Sequence, residues 1–167
     1  MIKKIIAIDP GTTETAFVIC NLANNNKPII ENAKKWNNAD VINHIQSCKN
    51  FDKMLIEMVA CYGMPVGKSV FETVLFIGRL IQICKDRKLD YELVYRKDIK
   101  MSICGTTRAK DSNIAQALVD KYAPMVSNHG KGTKKVPGYF FGFKADIWQA
   151  FAIVDFYVTR EKLKLRE

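Results

Sequence analysis

The chain has 167 residues, 48% hydrophobic and 26% charged, a composition expected of one soluble domain, residues 1–167, with its own core. Lys and Arg outnumber Asp and Glu by 26 to 17, a net charge of +9, which fits a polyanionic partner and puts nucleic acid first, although basic proteins without nucleic acid also exist. The lack of a run of about 18 apolar residues argues against a membrane span, and five scattered cysteines without metal or redox spacing fit reduced thiols, mostly small core residues, in a cytoplasmic compartment.

The N-terminal MIKKIIAIDPG reaches Asp-Pro-Gly too soon for a signal peptide, so Ile5–Ile8 reads as a first strand covered on both faces. Pro10-Gly11 turns the chain into a second strand, Thr15–Leu22, and the two are expected to form a hairpin. A third strand is expected over Ile29–Trp36, after the turn Asn24–Pro28. Val41, Ile42 and Ile45 have helical spacing within Ala39–Cys48. Lys53–Glu57 is another buried strand, and Ser69–Arg87 a long helix with Val70, Val74, Ile77, Ile81 and Cys84 on its apolar stripe. Tyr91–Tyr95 reads as a last short strand, Lys97–Cys104 as a short helix or turn, and Ala109–Tyr122 as a helix. Pro124–Gly142 is loop-like, and a closing helix runs from Asp146. Three strands, then alternating helices and strands, then helices, give an α/β fold with a mixed sheet of about five strands and helices on both faces.

Between the fourth strand and the long helix lies VACYGMPVGKS, residues 59–69. It looks like a phosphate cradle, but Gly63 and Gly67 enclose three residues where a P-loop needs four. Pro65 also removes a backbone donor. Gly67 and Ser69 are expected to open the helix, whose N-terminus, with Lys68, favours an anion.

Asp9 and Glu57 each end an apolar strand. One such acid marks only where a strand emerges; two ending alike point to a site at the strands' C-terminal edge. Asp146 opens the last helix, as an N-cap or as a third member of that group. Gathered carboxylates repel and raise one another's pKa. A hard divalent cation removes that cost, and clustered carboxylates with Mg²⁺ are the equipment of phosphoryl transfer. His44 and His129, in a helix and a loop, suggest no zinc site.

Four blocks, IAIDPGTTETAF, IEMVACYGMPVGKSV, ICGTTRAKDSNIAQALV and KADIWQAFAIV, resemble the RuvC-type Holliday-junction resolvases in their order and span most of the chain. The Tyr62–Ser69 segment looks most like the phage branch. The first block alone also resembles the phosphate loop of actin-like ATPases, but their nucleotide sits between two duplicated domains and this chain has room for one. The resemblance implies an RNase H-like fold, a homodimer, and Mg²⁺- or Mn²⁺-dependent nicking of four-way and possibly other branched DNA that leaves a 5′-phosphate, in the cytoplasm (the host's, if phage-encoded), with no nucleotide cofactor. It carries the metal-binding and catalytic acids onto Asp9, Glu57 and Asp146. The family's fourth acid falls on Gln149, which has one neutral oxygen and no charge. Asp155 cannot stand in, because nine residues at about 100° each place it on the opposite face. The family's lysine falls near Asp111, so Lys110, or alternatively Lys144, is the candidate for the scissile phosphate.

The resemblance also places DNA contacts on the loop after Glu57. Tyr62 or Met64 could wedge against unstacked bases or pack in the core, and Lys68 is expected to meet a phosphate. Arg96, Lys97, Lys100, Arg108 and Lys110 cluster near one helix pair, and Lys131, Lys134, Lys135 and Lys144 lie in or beside the glycine-rich late loop, expected to move until DNA binds. The long helix is apolar over more than one face, as for a dimer interface or a fully buried helix. The leading reading is a structure-specific endonuclease; the alternative is a branched-DNA-binding protein with weak or no cleavage.

Overall fold

A computed structural model describes residues 3–22, 27–48 and 51–164. The expected turn over Asn24–Pro28 falls largely outside them. The elements in chain order are strands β1 (Lys4–Asp9), β2 (Glu14–Asn21) and β3 (Ile29–Asn37), helix α1 (Asn38–Ser47), strand β4 (Lys53–Met58), helix α2 (Lys68–Asp86), strand β5 (Asp90–Tyr95) and helices α3 (Arg96–Cys104), α4 (Asp111–Tyr122) and α5 (Ile147–Lys164).

The sheet order is β3-β2-β1-β4-β5. β1, β2 and β3 form an antiparallel meander, whereas β4 and β5 join in parallel. This is the expected mixed five-stranded sheet, and the hairpin of β1 and β2 is formed. β1 reads as continuous apolar sequence because both of its faces are covered. Ile5, Ala7, Ala16, Val18 and Leu55 face a core built with α3, α4 and α5. Ile6, Ile8, Phe17, Met54 and Ile56 face a second core under α1 and α2. Strand β3 closes one edge with alternating half-buried positions and the charges Glu31, Lys34 and Lys35, which discourages further strand pairing.

The turn after β1 is locked from several sides. A Cβ on Gly11 would lie 2.3 Å from the Glu14 carbonyl oxygen, so this close approach needs glycine. The Asn38 amide donates to the carbonyls of Gly11 and Thr12 at 3.0 Å, and the buried Thr15 hydroxyl donates to Asn38 Oδ1 at 2.7 Å. Asn37 caps α1, its Oδ1 accepting from the Asp40 N–H at 2.9 Å. Asp9 is thereby fixed at the end of the central strand.

α5 is buried on nearly all sides from Ile147 to Asp155. Asp155 points away from Asp146, as its nine-residue offset requires, and accepts from the Tyr122 hydroxyl at 2.6 Å and Lys121 Nζ at 2.7 Å. α2 buries Thr73, Phe76, Ile77, Leu80, Ile83 and Cys84, while Phe71, Val74 and Leu75 stay exposed on its outer side. The alternative of a fully buried long helix is therefore excluded. Most element boundaries differ from expectation by one or two residues; among the later helices, α2 opens at Lys68 with Gly67 as its N-cap, α3 starts at Arg96, α4 starts at Asp111 and α5 starts after Asp146. Of the cysteines, Cys20 and Cys84 are core residues, Cys48 and Cys104 are half-buried, and Cys61 is exposed. No described helix is long and apolar enough to cross a membrane.

Candidate functional site

The register of the sheet assembles the site. Asp9 pairs with Ala16, and Ala16 pairs with Lys35, so these three stand in one row across β1, β2 and β3. On the other side Ile8 pairs with Ile56, which puts Glu57 beside Asp9. Side chains alternate along a strand, so Asp9 shares the face of Ile5 and Ala7, and Glu57 that of Leu55. This is the face that α5 covers, with Asp146 at the helix entrance. Asp9, the last residue of β1, and Glu57, one residue before the end of β4 and not at its end as expected, thus stand side by side on one face of the sheet.

Asp9 and Glu57 line one cavity of about 180 Å³ with Pro10, Met58, Val59, Ala60, Tyr62 and Arg96. Burial, then the charge of Glu57, pushes the Asp9 carboxyl up to about 8, with Asp146 adding to the rise and Arg96 opposing it. Burial also raises Glu57, against the pull of Arg96. Arg96 Nη1 lies 3.1 Å from Glu57 Oε2, and Nη2 lies 2.7 Å from Asp111 Oδ1. Asp146 is paired at 2.7 Å with Lys35, which also reaches Glu14 at 3.5 Å. Among the described residues, no three His, Cys, Asp or Glu side chains stand close enough together to form a ready metal-binding group. Lys35 and Arg96 instead compensate the carboxylates.

The donor chemistry nevertheless fits a hard cation. Two largely buried carboxylates whose charged forms are disfavoured, facing one cavity, supply oxygen ligands that a divalent ion would stabilise. Asp146 is near enough to Asp9 to raise its pKa, and would have to exchange Lys35 for the ion.

Gln149 lies one turn into α5, is 5% exposed, and its Oε1 accepts no hydrogen bond from the described residues. An unpaired buried amide oxygen is costly and is commonly explained by a function or a missing partner. Lys110 is exposed at the N-cap of α4, its backbone N–H donating to Asn113 Oδ1 at 2.8 Å, and it does not line the cavity.

Tyr62 and Met64 are 61% and 71% exposed, so packing in the core is not their role. Their loop is a tight turn in which the Met64 N–H donates to the Cys61 carbonyl at 2.8 Å, with Tyr62 at φ 43° and Gly63 at φ 84°. Holding a tyrosine in the left-handed region costs on the order of 1 kcal/mol and presents its ring beside the acids. Lys68 does not enter the cavity; it points outward, 3.5 Å from Glu72. Arg108, Lys134, Lys135 and Lys144 are exposed and Lys131 is half-buried. The late loop is internally bonded: Gly132 bridges Pro137, and the Phe140 N–H donates to the Gly130 carbonyl at 3.0 Å.

Sequence reasoning missed Lys35 and Asp111 as members of the site and placed Arg96 only in a general basic cluster. A strand register would have found Lys35, because it lies two strands from Asp9 in the same row.

The overall shape has clear counterparts among solved structures. Thermus thermophilus RuvC is 12% identical, with TM-score 0.66 over 95% of this chain and 96% of that one. The same protein in complex with a Holliday junction substrate is 8% identical, with TM-score 0.72 over 97% and 96%. The fowlpox virus Holliday junction resolvase is 14% identical, with TM-score 0.58 over 94% and 98%. This chain has the RuvC-type fold. It is RNase H-like, as the sequence resemblance implied. No family model matches the chain, and no curated protein matches it.

Proposed function

We propose that this RuvC-like chain is a divalent-metal-dependent endonuclease of branched DNA, organised as one nuclease domain. The observation that carries the reading is the pair Asp9 and Glu57: adjacent strand ends, largely buried carboxylates, one shared cavity, on a fold found in junction resolvases. Asp9, Glu57 and Asp146 would hold Mg²⁺ or Mn²⁺, with Gln149 offering a neutral oxygen. The ion's contribution is to make a bound water acidic and to stabilise the charge that develops at the phosphate. Hydrolysis leaving a 5′-phosphate balances with water as the nucleophile and the 3′ oxygen as the leaving group.

The chain's own residues orient the substrate. The exposed Tyr62, which lines the cavity, and the exposed Met64 in the same turn suit unstacked bases at a branch point. Arg108, Lys110, Lys131, Lys134, Lys135 and Lys144 supply phosphate contacts, and Lys68 adds one beside the exposed helix start. The outward stripe Phe71, Val74 and Leu75 on α2 suits a homodimer matched to a two-fold junction.

The deciding experiment is a nicking assay on a synthetic four-way junction with Mg²⁺ or Mn²⁺, extended to forks and flaps. Tight binding without cleavage in either metal would favour the alternative, a branched-DNA-binding protein. Two substitutions refine the reading. Gln149→Asp restores a negative ligand, so Mg²⁺-supported cleavage should rise about tenfold over the unaltered protein; equal rates in Mg²⁺ would contradict a metal role for residue 149. Replacing Lys131, Lys134 and Lys135 together by Ala should lower the slope of log affinity against log salt by about 3, measured by fluorescence anisotropy. An unchanged slope would remove this loop from the interface.

A further inference from the structure

Arg96 occupies an unusual place for a basic residue in a site proposed to hold metal. Its guanidinium lines the acidic cavity and spends its two Nη groups on different carboxylates. Nη1 binds Glu57, which is 15% exposed and faces the cavity; Nη2 binds Asp111, which is 63% exposed at the start of α4. The planar fork of arginine makes such contacts separable, since the bond to one partner does not require the other. A divalent ion at Glu57 and a guanidinium 3.1 Å from the same carboxylate would repel strongly in so small a space. The link to Asp111 is solvent-exposed, and Asp111 does not line the cavity.

We infer that Arg96 is the built-in counter-cation of the acidic cavity, which a divalent ion displaces from Glu57 while Asp111 retains it at the rim. The inference rests on the metal-dependent reading above and deepens it. In the metal-free protein Arg96 compensates carboxylates that would otherwise repel. On loading, the ion takes over that compensation, and the guanidinium becomes a free positive fork at the mouth of the cavity, shaped to engage a DNA phosphate. Arg96 is thus a competitor for the metal and a positioning group for the substrate. Asp111 is the anchor that keeps the displaced charge close.

The test is Mn²⁺ titration of the full chain without DNA at pH 8, followed by calorimetry. Arg96→Gln removes the competitor, so Mn²⁺ should bind about tenfold tighter than to the unaltered protein. Binding that is equal or weaker in the variant overturns the inference but leaves the nuclease reading standing. Absence of Mn²⁺ binding in both proteins overturns both. If the variant does not fold, the Arg96 guanidinium resonance of the unaltered protein decides, followed by NMR during Mg²⁺ titration. It should shift in step with metal occupancy, and a resonance unmoved at saturation refutes displacement.

Discussion

Replacing Asp9 by Asn should reduce cleavage of a synthetic four-way junction by at least about 10²-fold while leaving junction binding within a few-fold. The site explains both halves. Asp9 ends the central strand, is largely buried and lines the cavity with Glu57, so under the proposed reading its charge would serve the ion and not the DNA backbone. The same substitution has a stability signature of known sign. Asp9 is raised from 3.8 to about 8 in the folded chain. Between those values the folded protein holds a proton that the unfolded chain has released. The metal-free protein should therefore lose stability as pH rises through that window. If Asp9 holds the ion as proposed, Mn²⁺ would take the place of the proton, and its stabilising effect should be larger at pH 8 than at pH 6. Asn needs neither proton nor metal. Asp9→Asn should gain about 1–3 kcal/mol at pH 8 without metal, roughly 5 °C in melting temperature, and respond little to Mn²⁺. Thermal melts at the two pH values, with and without Mn²⁺, measure this directly. A variant that cleaves normally, or that melts lower at pH 8, would remove Asp9 from the centre of the site.

Phe140→Ala should be the most destabilising single substitution outside the strands, at about 3–5 kcal/mol, or roughly 10 °C in melting temperature. Phe140 belongs to the late loop yet is 0% exposed. Its ring meets Tyr139 and Trp148 at 4.8 Å, Phe143 at 5.0 Å and Phe151 at 5.3 Å, mostly edge to face. Such pairs add to simple burial. Its backbone N–H also binds the Gly130 carbonyl, so the anchor holds the segment that carries Lys131, Lys134 and Lys135. The alanine variant should bind junctions more weakly even where it remains folded, with a smaller loss for Phe140→Leu. Denaturant unfolding and anisotropy on the same preparations separate the two effects. Unchanged stability would mean that the aromatic cluster is not a cooperative part of the core.

The hydrophobic spacing of the chain determined the number and type of its elements, because strands and helices bury their apolar residues with different periods. Ile5–Ile8 and Met54–Ile56 announced covered strands by unbroken apolar runs, and the acid following each run marked a shared edge. The apolar residues of α2 announced a helix with more apolar surface than one face requires, but the buried face is centred on Phe76, Ile77, Leu80, Ile83 and Cys84, and Val74, expected on the stripe, is exposed. What sequence could not fix is which charges meet. Lys35 reaches Asp146 because two antiparallel registers place it in the row of Asp9, and Arg96 reaches Glu57 because β5 runs parallel beside β4. Tyr62 and Met64 were equally consistent with core packing and with exposure until the turn at Tyr62 and Gly63 turned them outward. Local patterns are written along the chain, whereas the partners of a charge depend on strand order and register, which arise only when the sheet closes.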